Sequence, residues 1–239
     1  MPKETALQTI IPESFLFFSQ KDILGGDFYW FDVIDNKTFI VVGDCTGHGV
    51  SGSLLSILAS DIIKQAVVEM RLSDTGTILE YLNHKILSTL NQSTYNTASE
   101  NEIVDGLDIS FAIINHQHNT LSFSSAMHTA YLVRDKAIIE VKGNRKAIGV
   151  ASQKGNDFFA SHIITIKKDD CLYFLTDGYC DQFHHKTSKK FGKNNLKNTL
   201  LEINDTTMAE QGNTIKTLHQ NWKGTDEQTD DICILGIKI

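Results

Sequence analysis

A chain of 239 residues is long enough to bury one sizeable core, and its 41% apolar and 21% charged residues are ordinary for a globular protein. No run of about 18 apolar residues occurs, so no membrane-spanning helix is expected, and Met1-Pro2-Lys3-Glu4-Thr5 lacks the basic-then-apolar layout of a secretory signal. The net charge of -7 argues against nucleic acid as the main partner, and the scattered Cys45, Cys171, Cys180 and Cys233 read as reduced thiols of a cytoplasmic protein rather than a zinc site.

In chain order, Phe15 to Ser19 is a short apolar run. Asp27 to Ile34 alternates loosely with many aromatics, and Thr38 to Gly43 is β-branched and apolar, as in a buried strand. Asp35-Asn36-Lys37 between them suits a tight turn, which predicts a hairpin. From Val50 the period changes: Leu54, Leu55, Leu58, Ile62, Ile63, Ala66 and Val67 recur every three to four residues and predict a long amphipathic helix. A second helix carries Ile78, Leu79, Leu82, Ile86, Leu87 and Leu90, with Asp74 or Thr75 near its start. Asn91 to Gly106 is polar and predicts a loop.

Four strands are predicted next, at Ile109 to Asn115, Thr120 to Ser125, Ala130 to Arg134 and Ala137 to Val141. The short turns His116 to Asn119 and Asp135-Lys136 imply antiparallel pairing. Lys146 to Asp157 reads as a loop, and Phe158 to Ile166 and Cys171 to Leu175 as strands. Helical patterns follow at Leu196 to Ile203 and Met208 to Trp222, and Ile232 to Ile239 closes the chain as a strand. Strand runs interrupted by one helical pair and followed by another indicate an α+β architecture of packed antiparallel sheets with helices outside. No repeat or linker divides the chain, so residues 1–239 are expected to form a single domain. Lys186, Lys189, Lys190 and Lys193 read as a solvated basic loop.

The chemistry lies in aspartates at expected strand ends. Asp27 follows Gly25-Gly26, Asp44 ends the TFIVVG strand, Asp177 ends CLYFLT and precedes Gly178, and Asp230-Asp231 precede ICILGI. Each alone is an ordinary turn former or helix cap. Together they suit hard divalent cations, which take oxygen ligands and would offset the mutual repulsion of clustered carboxylates. The run Gly43 to Gly49 allows sharp turning near an ion or phosphate. No GK[ST] follows it, so it is not a P-loop.

The runs DILGGDFYWF, VVGDCTGHGVSGSLLS, LDISFAII, YFLTDGYCDQF and EQTDDICILGIKI, in this order over Leu7 to Ile239, resemble the SpoIIE/RsbU-type serine/threonine phosphatases. That group is a bacterial branch of the protein phosphatase 2C-like (PPM) superfamily. The resemblance implies an αββα sandwich with a centre of two Mn2+ or Mg2+ ions at one edge, and hydrolysis by a metal-activated water. Carried over by motif, Asp27, Asp44, Asp177 and Asp230 match the metal-binding aspartates, and Cys45 the residue that offers its backbone carbonyl. Asp231 and Asp108 are second-rank ligand candidates. His48 is a candidate acid for the leaving oxygen, or simply packs at the mouth of the loop. Pro is missing from SSAMHTAYL and GNRKAIGV, Asp181 stands where many relatives have Glu, and Asp108 where many have Thr. His128, His184 and His185 match nothing in the family and are expected at the surface.

The resemblance further implies a phosphorylated regulatory protein as partner, such as a STAS-domain anti-sigma antagonist in bacterial partner-switching signalling. No membrane insertion is expected, Leu7 to Pro12 resembles the segment that follows an upstream linker, and residues 1–12 read as a remnant of such a linker. Dimerisation through the helices after Gly49 is an expectation of the same kind. Two alternatives compete: a pseudophosphatase that binds a phosphoprotein without turnover, and another two-metal hydrolase such as a nucleotide phosphohydrolase.

Overall fold

The computed structural model describes residues 4–47, 49–90, 105–150 and 158–239. The predicted loops at Asn91 to Gly106 and Lys146 to Asp157 lie largely outside the described residues.

The elements are α1 (Glu4–Ile10), β1 (Ser14–Ser19), β2 (Phe28–Ile34), β3 (Lys37–Cys45), α2 (Val50–Lys64), α3 (Thr75–Thr89), β4 (Leu107–Asn115), β5 (Thr120–Ala126), β6 (Thr129–Arg134), β7 (Ala137–Lys142), β8 (His162–Thr165), β9 (Cys171–Leu175), α4 (Gly178–Asp181), α5 (Gly192–Ile203), α6 (Met208–Lys223) and β10 (Ile232–Lys238). A π-helical turn, Gln65–Glu69, extends α2. The β2–β3 hairpin turns on Asp35 and Asn36, both at positive φ (50° and 59°), as a two-residue turn matched to strand twist requires. Asp74 caps α3 by accepting from the Thr77 amide at 2.8 Å.

All strand pairs are antiparallel, in two sheets ordered β1-β10-β9-β6-β7 and β2-β3-β4-β5-β8. Both faces of each sheet are covered, which explains the near-continuous apolar runs of β3, β9 and β10. Along β3, Phe39 and Val41 face the α2/α3 layer with Leu55, Ile63, Ile78 and Leu82. Ile40 and Val42 face the other way, into the inter-sheet core with Leu132, Leu172, Phe174 and Leu235. Beyond the second sheet, Tyr173, Ile232 and Ile234 pack on Leu196, Leu200 and Ile215 of α5 and α6. Helix layer, sheet, sheet, helix layer is the expected αββα sandwich of the α+β class.

Three local expectations change. The predicted strand Phe158 to Ile166 shrinks to β8, because Phe159 is drawn into the α2/α3 core and the Ser161 hydroxyl bonds with Thr75 at 2.9 Å. The turn α4 was not foreseen, being too short to show a period. The helix Val50–Glu69, 20 residues long, is apolar enough by length and composition to cross a bilayer, contrary to the expectation of none. Here its inner face, Leu55, Ala59, Ile62, Ile63, Ala66 and Val67, is buried on the sheet.

Candidate functional site

Antiparallel register puts Asp44 of β3 directly opposite Asp108 of β4, and Phe28, next to Asp27, opposite Gly43. In the other sheet β9 and β10 are antiparallel neighbours with Leu175 opposite Ile234. Asp177, just after β9, and Asp230, just before β10, therefore emerge at the same end. Thr176 ties the two sheets together: its hydroxyl donates to Asp27 Oδ2 at 2.6 Å and accepts from the Cys233 amide at 2.9 Å. Gly178 is needed for this approach, because a Cβ there would collide with the backbone carbonyl of Asp231. At Gly26 a Cβ would stand 2.6 Å from the Cys45 carbonyl oxygen and 3.0 Å from that of Gly47. The glycine thus lets Asp27 enter beside the loop that follows Asp44.

The carboxyls lie close enough to act on one another. Burial, then the charges of Asp44, Asp231 and Asp230, push the Asp27 carboxyl far above the usual carboxylate range, against the lowering bond from Thr176. Burial, then Asp177, Asp230, Asp108 and Asp231, push Asp44 up strongly as well. Asp108 is raised to about 6 by burial and by Asp177. Asp177 is raised by burial, Asp181 and Asp230, with Lys190 and Lys193 opposing. Among the described residues, no three His, Cys, Asp or Glu side chains already surround a single point as a metal cage.

Asp231 has a different task from its neighbour. Its Oδ1 accepts from the Lys21 amide at 2.7 Å, and its Oδ2 from the Gly26 amide at 2.6 Å and the Asp27 amide at 3.4 Å. Both oxygens are used to clamp the loop that presents Asp27. The Cys45 thiol is buried and its pKa is raised by burial and by Asp44 and Asp27, so it stays protonated. His48 lies outside the described residues.

Sequence reasoning missed a neighbouring group. His128 is 9% exposed rather than on the surface. Its ring bonds to the Val42 backbone, its Nδ1 has no partner, and burial, then Lys193, lower its pKa to about 4, so the imidazole is neutral. With Asp108, Asp177 and Lys193 it lines a cavity of about 210 Å³. The absence of a recognisable motif around His128 hid it, since burial of a polar residue leaves no periodic signal. His184 and His185 also differ from expectation: they are half-buried and stacked at 4.7 Å, with His184 edge-on to Trp222.

The fold places the chain among known proteins. It superposes on the SiaA-PP2C domain of Pseudomonas aeruginosa with a TM-score of 0.87 at 25% identity, covering 98% of this chain and 89% of that one. The structure of the RsbU and RsbW domains of Rv1364c from Mycobacterium tuberculosis matches with TM-score 0.73 at 14% identity, over 95% of this chain and 60% of that one. RsbX in complex with magnesium matches with TM-score 0.62 at 18% identity, over 95% and 94% of the two chains. No curated protein sequence gives a significant match. The sequence model of stage II sporulation protein E (SpoIIE) matches residues 34–239, which contain Asp44, Asp108, Asp177 and Asp230. The chain belongs to the SpoIIE family and carries its PP2C-type phosphatase fold.

Proposed function

We propose that this chain is a metal-dependent protein serine/threonine phosphatase that hydrolyses phosphoserine or phosphothreonine on a regulatory protein. The observation that carries this reading is the convergence of Asp27, Asp44, Asp108, Asp177 and Asp230 from both sheets on one cleft of a SpoIIE-family fold.

Asp27, Asp44, Asp177 and Asp230, with the Cys45 backbone carbonyl, are the donors that would hold two Mn2+ or Mg2+ ions. The set fits. It is all oxygen, as hard cations require, and Asp27 and Asp44 are pushed toward the protonated form by burial and then by neighbouring carboxylates, a cost that cations would offset. Gly26 keeps the Cys45 and Gly47 carbonyls free of a side chain. When bound, such a pair supplies positive charge for the phosphoryl oxygens and lowers the pKa of an attacking water. The rest is the work of the chain. Thr176 orients the Asp27 carboxylate, Asp231 holds the backbone of Gly26 and Asp27, and the β3–β4 register sets Asp44 against Asp108.

One matched relative combines RsbU and RsbW domains, and another is described as part of the bacterial stressosome. These names support a cytoplasmic partner-switching role, with a phosphorylated STAS-domain antagonist as the substrate.

The test is hydrolysis of an aryl phosphate and a phosphoserine peptide, with manganese and with chelator, by wild type and Asp44→Asn. Turnover that needs the metal and falls by more than about 100-fold in the variant is expected. Phosphopeptide binding without turnover in any metal would replace this reading with the silent binding module.

A further inference from the structure

Next to the aspartates, the cavity of about 210 Å³ is lined by Asp108, Asp177, His128, Thr129, Tyr131 and Lys193, among others. At about 30 Å³ per water it would hold about seven waters, and it falls below the roughly 300 Å³ at which small-molecule sites begin. One side chain with its terminal group fits. The Nδ1 of the buried His128 makes no hydrogen bond among the described residues, but it is sealed from solvent and offers nothing to an entering group. Lys193, the second residue of α5, makes no ion pair among the described residues, whereas its neighbour Lys190 is held by Asp181 at 2.7 Å. The charge of Lys193 is nonetheless felt at both His128 and Asp177.

A phosphate monoester carries close to two negative charges at neutral pH, and this chain carries a net -7. An anion entering a cleft walled by Asp108 and Asp177 needs local positive charge, and Lys193 is the cation that the cavity lining itself provides. We propose that the phosphorylated side chain of the substrate enters this cavity, with the Lys193 ammonium as its anion contact. This rests on the phosphatase reading above and names a substrate-binding residue for it. Lys193 then has a different role from Lys186, Lys189 and Lys190, with which it forms one basic run in the sequence.

The experiment compares wild type, Lys193→Ala, Lys193→Arg and Lys189→Ala, the last changing an exposed lysine outside the lining. Two readouts are taken with manganese: KM and kcat on a phosphoserine peptide, and the Kd of the matching non-hydrolysable phosphonate peptide by fluorescence anisotropy. For Lys193→Ala, KM and Kd are expected to rise about tenfold, with the change falling mainly on KM rather than kcat. Lys193→Arg should recover most of the loss, and Lys189→Ala should resemble wild type. Unchanged KM and Kd in Lys193→Ala, or an equal loss in Lys189→Ala, overturns the assignment. Wild type that binds the phosphonate through Lys193 but never hydrolyses the peptide upholds the cavity and removes the phosphatase reading. Wild type that neither binds nor hydrolyses removes both.

Discussion

Adjacent aspartates at positions 230 and 231 have separate roles because of where backbone amides point. Asp231 accepts from three amides of the Lys21 to Asp27 loop, whereas Asp230 accepts from the Asp231 amide at 2.8 Å; the charges of both act on Asp27 and Asp44, and that of Asp230 also on Asp177. The crowding has a consequence for stability. Asp27 and Asp44 hold their protons more tightly in the folded chain than in the unfolded one, because burial and neighbouring charge disfavour ionisation. Folding therefore takes up protons, and stability contributed at low pH is lost as pH rises through the raised folded values. Buried His128 and His219, both lowered to about 4, act in the opposite sense, but only below the ordinary histidine value of about 6.5. Chelator-treated protein should thus lose stability between about pH 7 and about pH 8.5, read as a falling urea midpoint. Asp44→Asn should flatten the slope, and millimolar manganese should abolish it. A midpoint that climbs over this range in chelator would contradict the assigned crowding.

At the scale of elements, the turn from β9 into α4 carries Asp177 past the start of β10. The Thr176-Asp177-Gly178 segment must pass against the start of β10 closely enough that the Asp231 carbonyl occupies the place of a Gly178 side chain. The obstruction is backbone, which cannot rotate away as a long side chain could. Gly178→Ala is expected to cost about 1–3 kcal/mol in urea unfolding, as overpacking against a rigid neighbour does. It should also reduce turnover, because relief of the clash moves Asp230 away from Asp177. A variant with wild-type stability and turnover would mean that the turn relaxes freely. The helices α2 and α3 contribute differently, covering the outer face of β2–β4 with a stripe visible in the sequence.

Across the whole molecule, the sheets are joined by a shared apolar core and by a few polar links. Arg134 of β6 donates to both carboxylate oxygens of buried Asp170, at 2.8 and 2.6 Å, and to the Thr165 carbonyl of β8 at 2.8 Å. Since β6 and β8 belong to different sheets, this guanidinium pins the layers at the end where both sheets have edge strands. Arg134→Met leaves Asp170 buried and short of its partner, and should destabilise the protein by about 2–4 kcal/mol, toward the range for breaking buried pairs. Lys136→Met, which breaks the exposed pair with Asp205, should cost less than about 1 kcal/mol. Equal thermal shifts for the two variants would refute the cross-layer role.

The sequence by itself determined most element types and an α+β class of packed antiparallel sheets with outer helices, and singled out aspartates at strand ends, because these rest on local signals, while the αββα sandwich came from the family resemblance. Period-two and period-3.6 patterns, the Asp-Asn turn and aspartates beside glycines are each written within a few residues. Boundaries failed where tertiary packing outweighed local pattern, as when Phe159 left its predicted strand for the helix-side core. Only the tertiary structure decided which sheet each strand joins, and with it which carboxylates meet. The Thr176 to Asp27 bond spans 149 positions. The same long-range pairing buried His128, brought Lys193 into the cavity lining, and set Asp231 against three backbone amides. None of these is encoded in a neighbourhood of the chain, because each depends on backbone atoms contributed from the other sheet or from a distant loop.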